Sequence, residues 1–134
     1  MLSRYGVKYV KTPKDSPAGV DAVLMRGDCL VGVSEMKCRQ MTTEQLMGEY
    51  RGEWLVTYSK LEKLSIAAQL LGVPGVGLLY LVPEKKLLSV RICNEDGLFI
   101  PGIRVERTAT QATVNGGTAV RENAYVSVAD AKVV

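Results

Sequence analysis

Histidine is absent from the 134 residues of this chain, and its absence excludes more chemistry than any residue present. Without imidazole there is no Ser-His or Cys-His nucleophile system, no histidine general base, no HExxH zinc-protease motif and no Cys₂His₂ site. A metal held by such a chain must be a hard cation with oxygen ligands. Cysteine is scarce too. Cys29, Cys38 and Cys93 form no close pair, and an odd, scattered count reads as reduced thiols in a cytoplasmic protein. Long hydrophobic runs are also missing. The most apolar stretch, Gly72 to Val82, is too short to span a bilayer and is broken by Pro74, Gly75 and Gly77. Residues 1–17 contain no apolar signal-peptide segment, so the expectation is a soluble, intracellular protein with no membrane partner.

The remaining composition is ordinary. Hydrophobic residues make up 47% and charged residues 23%, a balance that argues against disorder and suits one domain with a real core. The net charge of +3 and a pI of about 8.8 permit a polyanionic partner without demanding one. Base is nonetheless clustered: Arg4, Lys8, Lys11 and Lys14 all precede the first acidic residue, Asp15.

Residues 6–12 read as a short strand and Pro13 to Pro17 as a loop. Gly19 to Met25 and Leu30 to Lys37 are near-continuous apolar runs, which predicts strands covered on both faces, joined by a hairpin at 26–29. Thr42 is a candidate N-cap for a short helix reaching about Arg51. Trp54 to Tyr58 is β-like. Ser59 and Glu62 form a capping box for a helix with Leu61, Leu64, Ala68 and Leu71 on one face, ending at Gly72. Val76 to Val82 and Leu87 to Ile92 follow as strands. Beyond Gly97, Ile103 to Val114 and Thr118 to Val128 flank an Asn115-Gly116-Gly117 hairpin turn. The order predicts an α/β or α+β class in a single domain over 1–134, with a core at about 6–92 and a β-rich C-terminal extension at about 98–134.

Chemistry concentrates in Asp21 and in Glu35-Met36-Lys37. With a three-residue loop, 27–29, Asp21 falls directly opposite Glu35, close enough for two carboxylates to share one ion. Alternation places Lys37 on the face of Glu35. A two-residue loop would put Asp21 and Glu35 on opposite faces, so the site depends on register. Two acids and a lysine on an otherwise apolar hairpin are costly unless compensated, and a divalent cation that also binds phosphate oxygens would compensate them.

Asp21, a gap of 13 residues and Glu35-x-Lys37 on consecutive strands followed by a helix resemble the PD-(D/E)xK nuclease superfamily. Its members include type II restriction enzymes, Holliday-junction resolvases and small phage nucleases. The resemblance covers about Gly6 to Ile92. It implies a restriction-endonuclease-like mixed sheet flanked by helices. It also implies Mg²⁺, replaceable by Mn²⁺, on Asp21, Glu35 and the Met36 carbonyl, with Lys37 assisting hydrolysis of DNA. The catalytic set so implied is Asp21, Glu35 and Lys37.

Two departures stand. Val20 replaces the usual proline, and no acidic residue precedes the first strand, where many members carry a glutamate. Either the site works without it, or Glu44 or Glu49 of the next helix substitutes, or the chain is a truncated form. Gln45 is the candidate for a glutamine that some relatives place near the metal. Lys8, Lys11, Lys14, Arg39, Lys60 and Lys63 are candidate DNA contacts. The bland reading of the lysines at 60 and 63 is a solvated helix face. The arginines and threonines of 104–121 could form a phosphate-contacting ribbon but read more readily as ordinary strand residues.

The expected function is a Mg²⁺-dependent DNA endonuclease, structure-specific in the manner of junction or phage DNA processing. A domain this small is expected to act as a homodimer or higher homo-oligomer. The alternatives are a non-catalytic nucleic-acid-binding module on the same fold, or a structural or assembly protein that uses its β-rich tail.

Overall fold

The computed structural model describes residues 6–12, 20–112 and 118–134, with backbone alone for 107–112 and 118–121. Lys14, the 13–17 loop and the turn at 115–117 lie outside the described residues. In chain order the elements are β1 (Lys8–Lys11), β2 (Ala22–Arg26), β3 (Cys29–Arg39), α1 (Thr43–Met47), β4 (Glu53–Thr57), α2 (Tyr58–Leu71), β5 (Gly75–Leu81), β6 (Lys86–Cys93), β7 (Ile103–Ala112), β8 (Thr118–Ser127) and β9 (Lys132–Val133). The class is mixed α+β, mostly sheet with two helices. Six strands form one sheet in the order β1-β2-β3-β5-β6-β9, and three form another in the order β4-β8-β7. Only β3 and β5 run parallel among these pairings. A parallel neighbour requires a crossover, and the segment carrying α1, β4 and α2 provides it.

The β2–β3 hairpin departs from its expected turn and then recovers the expected register. Arg26 pairs with Cys29, so the turn is the two-residue Gly27-Asp28, with Gly27 at φ +61°. Carried straight through, that register would separate Asp21 from Glu35 onto opposite faces. It shifts instead between Met25, which pairs with Leu30, and Leu24, which pairs with Gly32. Val31 is the unpaired extra residue of a β-bulge, and one extra residue reverses which side chains face which way. Val23 then meets Val33 and Ala22 meets Ser34.

The larger core lies on one face of the six-stranded sheet. Val33, Leu79, Leu81, Val90 and Ile92 meet Leu61, Leu64, Ala67 and Ala68 of α2 and Trp54, Val56, Ala124 and Val126 of the second sheet. The C-terminal segment is therefore tied into the molecule twice, through β8 against β4 and through β9 at the edge of the large sheet. A smaller cluster of Leu24, Leu78 and Leu87, with Tyr9, Met36 and Tyr80 partly buried, occupies the opposite face. Both helices contribute to the first face only, so helices flank the sheet on one side among the described residues.

Two helix expectations are corrected. α2 begins at Tyr58 with Thr57 as an N-cap that makes no side-chain hydrogen bond, so Ser59 and Glu62 form no capping box. β4 runs straight into the helix, and the backbone reverses before Ser59 is reached. At its far end Gly72 is left-handed (φ +66°) and the Val73 N–H bonds the Ala68 carbonyl, a Schellman closure. That turn brings Val73 into the core in place of Leu71, which is half-exposed. α1 does carry the Thr42–Gln45 capping box, but it stops at Gly48, short of Arg51. Arg51 and Gly52 both have positive φ and turn the chain into β4.

Candidate functional site

Asp21 stands one residue before β2, and Glu35 is the seventh residue of β3. Ala22 pairs with Ser34, so the same register extended by one residue sets Asp21 opposite Glu35. Both lie two residues from the Val23–Val33 pair and share its face. At Asp21 the ladder changes character. Its N–H donates to the Ser34 carbonyl at 3.2 Å, and its Oδ2 accepts the Met36 N–H at 2.9 Å. A side-chain oxygen has taken a position that a backbone carbonyl would otherwise fill. Strand residues direct N–H and C=O to the same side, so the Met36 carbonyl also faces the flank where Asp21 sits. The Met36 side chain points to the opposite face, among the smaller cluster.

Glu35 is the only acid among the buried residues described, with 1% exposure. Its Oε1 has no hydrogen-bond partner, and the Lys37 Nζ stands 3.6 Å away, beyond hydrogen-bond range but close enough for an ion pair. Burial pushes the Glu35 carboxyl above its ordinary range. The Asp21 charge raises it further, as does a hydrogen bond between the two carboxyl groups, while Lys37 and then Lys60 pull it down. Burial chiefly, followed by the Asp21 and Glu35 charges, likewise holds the Tyr9 phenol above its usual value.

The depth of Glu35 has a packing cause. Its parallel neighbour is Gly77, and a Cβ at Gly77 would lie 2.6 Å from the Trp54 ring and 2.8 Å from Ile92. Glycine leaves room for the indole against the strand beside Glu35. Trp54 is itself 2% exposed, and its indole N–H has no acceptor among the described residues.

The structure thus brings together Asp21, Glu35, Lys37 and the Met36 backbone, with Lys60 close enough to act on Glu35. It places the accessory candidates elsewhere. Gln45 Oε1 accepts the Thr42 N–H at 2.9 Å in the helix cap. Glu44 and Glu49 are exposed, and neither contributes to the charge felt by Glu35. The reason is strand length: β3 continues four residues past Glu35, about 13 Å at 3.3 Å per residue, before the chain reaches α1. Glu84 then pins that helix, accepting the Thr43 N–H at 2.5 Å and its hydroxyl at 2.7 Å. No group of three or more Cys, Asp or Glu residues arranged to hold a metal occurs among the described residues.

Among the candidate DNA contacts, Lys8 and Lys11 are exposed on β1, and Lys11 pairs with Ala22, next to Asp21. Lys63 is exposed on α2. Arg39 shares the face of Glu35 and Lys37 at the end of β3, its Nη1 donating to the Cys38 carbonyl at 3.1 Å. Sequence reading missed Val31, whose bulge sets the site's register, and no residue type marks it. It also missed Tyr50, Arg51 and Tyr125, which line a cavity beside Arg39.

No family model matches this chain, and no curated protein or solved structure does either. Among the described residues no helix is long and apolar enough to cross a membrane.

Proposed function

We propose that the protein is a Mg²⁺-dependent endonuclease of the PD-(D/E)xK type that hydrolyses DNA phosphodiester bonds at Asp21, Glu35 and Lys37. One observation carries the reading: a buried carboxylate, Glu35, has an unpartnered oxygen and a second carboxylate within hydrogen-bonding reach. Such an arrangement is costly in a protein interior, and Lys37, 3.6 Å away and outside hydrogen-bond range, offsets that cost only in part. The donor set fits a hard cation, since Asp21, Glu35 and the Met36 carbonyl offer only oxygen, and Mg²⁺ commonly binds through one or two carboxylates and keeps several waters. Bound there, Mg²⁺ would supply Lewis acidity toward a phosphate oxygen and a lowered pKa for water. The strand order supports the finer fold, with the acid just before β2 and the Glu-x-Lys of β3 beside a parallel strand reached through α2.

The chain's own residues divide the remaining work. Asp21 is oriented by the Met36 N–H, which fixes one carboxylate oxygen and leaves the other for a ligand. Glu35 is held rigid by burial. Lys37, one-third exposed, presents its ammonium to solvent beside Glu35, where it can stabilise charge that builds on the reacting phosphate. Lys60 and the first turn of α2 add positive potential.

The test is a panel of supercoiled, linear, single-stranded and four-way-junction DNA, each with Mg²⁺, Mn²⁺ or EDTA. Cleavage should require metal and vanish in Glu35→Ala, while gel-shift affinity at fixed salt persists. Full activity in Glu35→Ala would end the proposal. The lack of a third acid beside the pair, among the described residues, favours as second reading a module that binds nucleic acid without cutting it. Binding without cleavage on every substrate would select it.

A further inference from the structure

A cavity of about 500 Å³ opens where β3 ends, between the turn into β4 and the second sheet. Its size falls in the range of small-ligand sites. Arg39, Tyr50, Arg51, Trp54 and Tyr125 are among the residues that line it. The aromatic groups are not equivalent. Trp54 is buried, and one face of Tyr125 is covered by the Arg104 guanidinium at 4.2 Å. Tyr50 is half-exposed and free to stack.

The cations differ in the same way. Arg104 is committed to Glu53 and Glu106. Arg39 and Arg51 have no carboxylate partner among the described residues. Arg51 also holds φ +56°, a left-handed conformation that glycine adopts without steric cost. Strained non-glycine positions of this kind cluster at ligand clamps. The lining therefore combines an exposed aromatic face and two guanidinium groups without a carboxylate partner, beside Glu49 and the Glu53 carboxylate that Arg104 neutralises.

Position supplies the last element. Arg39 lies on the same strand and face as Glu35 and Lys37, and Trp54 rests on Gly77, the register neighbour of Glu35. The cavity thus lies at the far end of the strand that carries Glu35 and Lys37. We propose that it is a subsite for one unpaired nucleotide of a DNA strand, the base stacking on Tyr50 and the flanking phosphate held by Arg39 and Arg51. A base still paired within a duplex cannot enter a cavity of this kind, so the substrate is single-stranded or locally opened DNA. The choice of DNA over another aromatic anion rests on the nuclease reading.

Trp54 is the chain's only tryptophan and lines this cavity, so its emission responds to a ligand seated there. The experiment is a fluorescence titration of the full chain in EDTA with a short thymidine oligonucleotide, an abasic oligonucleotide of equal length and a blunt duplex. The thymidine oligonucleotide should change Trp54 emission saturably, and the other two should not. Tyr50→Ala should weaken that binding by about 5- to 100-fold, the range for loss of one stacked base. Arg51→Gly relaxes the backbone while deleting the cation, and should lower the salt slope by about 0.7. Circular dichroism of both variants confirms their fold. An equal response to the abasic strand, or parental affinity in folded Tyr50→Ala, would overturn the subsite. Base-dependent binding without metal-dependent cleavage would leave the subsite standing and remove the nuclease reading instead.

Discussion

Replacing Glu35 by glutamine tests the site through its energetics, independently of any substrate. In the metal-free protein Glu35 is a buried carboxylate with one unpartnered oxygen beside a second acid. A buried acceptor left unsatisfied costs about 1–3 kcal/mol, and more when charged. Glutamine has the same shape, carries no charge and brings an amide that can donate to Asp21. Glu35→Gln should therefore stabilise the metal-free protein at neutral pH by about 1–3 kcal/mol. For a chain of this size that is about 3–10 °C in Tm.

The effect has a definite pH dependence. Burial and Asp21 place the folded-state pKa of Glu35 above its ordinary value of 4.5, so the folded protein binds that proton more tightly than the unfolded chain. Parental stability should be greatest in acid as far as this group is concerned. It should decline as pH rises from the ordinary glutamate value through the raised one, then level off. Glu35→Gln should abolish that decline. The assay is denaturant unfolding followed by Trp54 fluorescence across this pH range in EDTA, repeated with Mg²⁺ or Mn²⁺. Metal at a hundredfold excess over its Kd should add about 2.7 kcal/mol to the parent and nothing to the variant. The reasoning is refuted if Glu35→Gln is no more stable than the parent in EDTA, or if metal stabilises both equally.

Asp21→Asn keeps an acceptor for the Met36 N–H and should change stability by less than about 1 kcal/mol while abolishing the calorimetric signal of Mg²⁺ or Mn²⁺; an unchanged signal contradicts the ligand set. Lys37→Ala should lower single-turnover cleavage by about 10²–10³ with DNA affinity nearly unchanged, and a parallel loss of both would point to misfolding or to a binding role. Gly77→Ala drives a methyl to 2.6 Å from the Trp54 ring and should destabilise the fold by about 1–3 kcal/mol and shift Trp54 emission. Unaltered unfolding and emission would show that the ring is not seated on that glycine.

Much of the architecture was legible in residue patterns because local chemistry alone specifies it. The Gly72 terminus of α2, the Thr42 cap of α1 and the apolar strands around 22–39 and 75–93 each follow from neighbours a few positions apart. Strand alternation alone joined Glu35 to Lys37, whereas placing Asp21 with them depended on the hairpin register that the Val31 bulge supplies. What patterns left open was decided by contacts distant in the chain. The hairpin turn is shorter than the sequence suggested, and Val31 offsets it by bulging, a choice set by which side chains the larger core accepts. β4 joins β8, some seventy residues later, because Trp54 and Val56 find their apolar partners there rather than on the six-stranded sheet.

The electrostatic state of the site was equally invisible in one dimension. Glutamate at position 35 reads the same whether exposed or buried. Only the packed fold makes it a desolvated acid with an unpartnered oxygen. The sequence by itself determined the reactive groups, their spacing along two strands and the absence of any imidazole. Tertiary structure decided which of them share a face and how deeply they are buried, because register and desolvation depend on packing against residues far away in the chain.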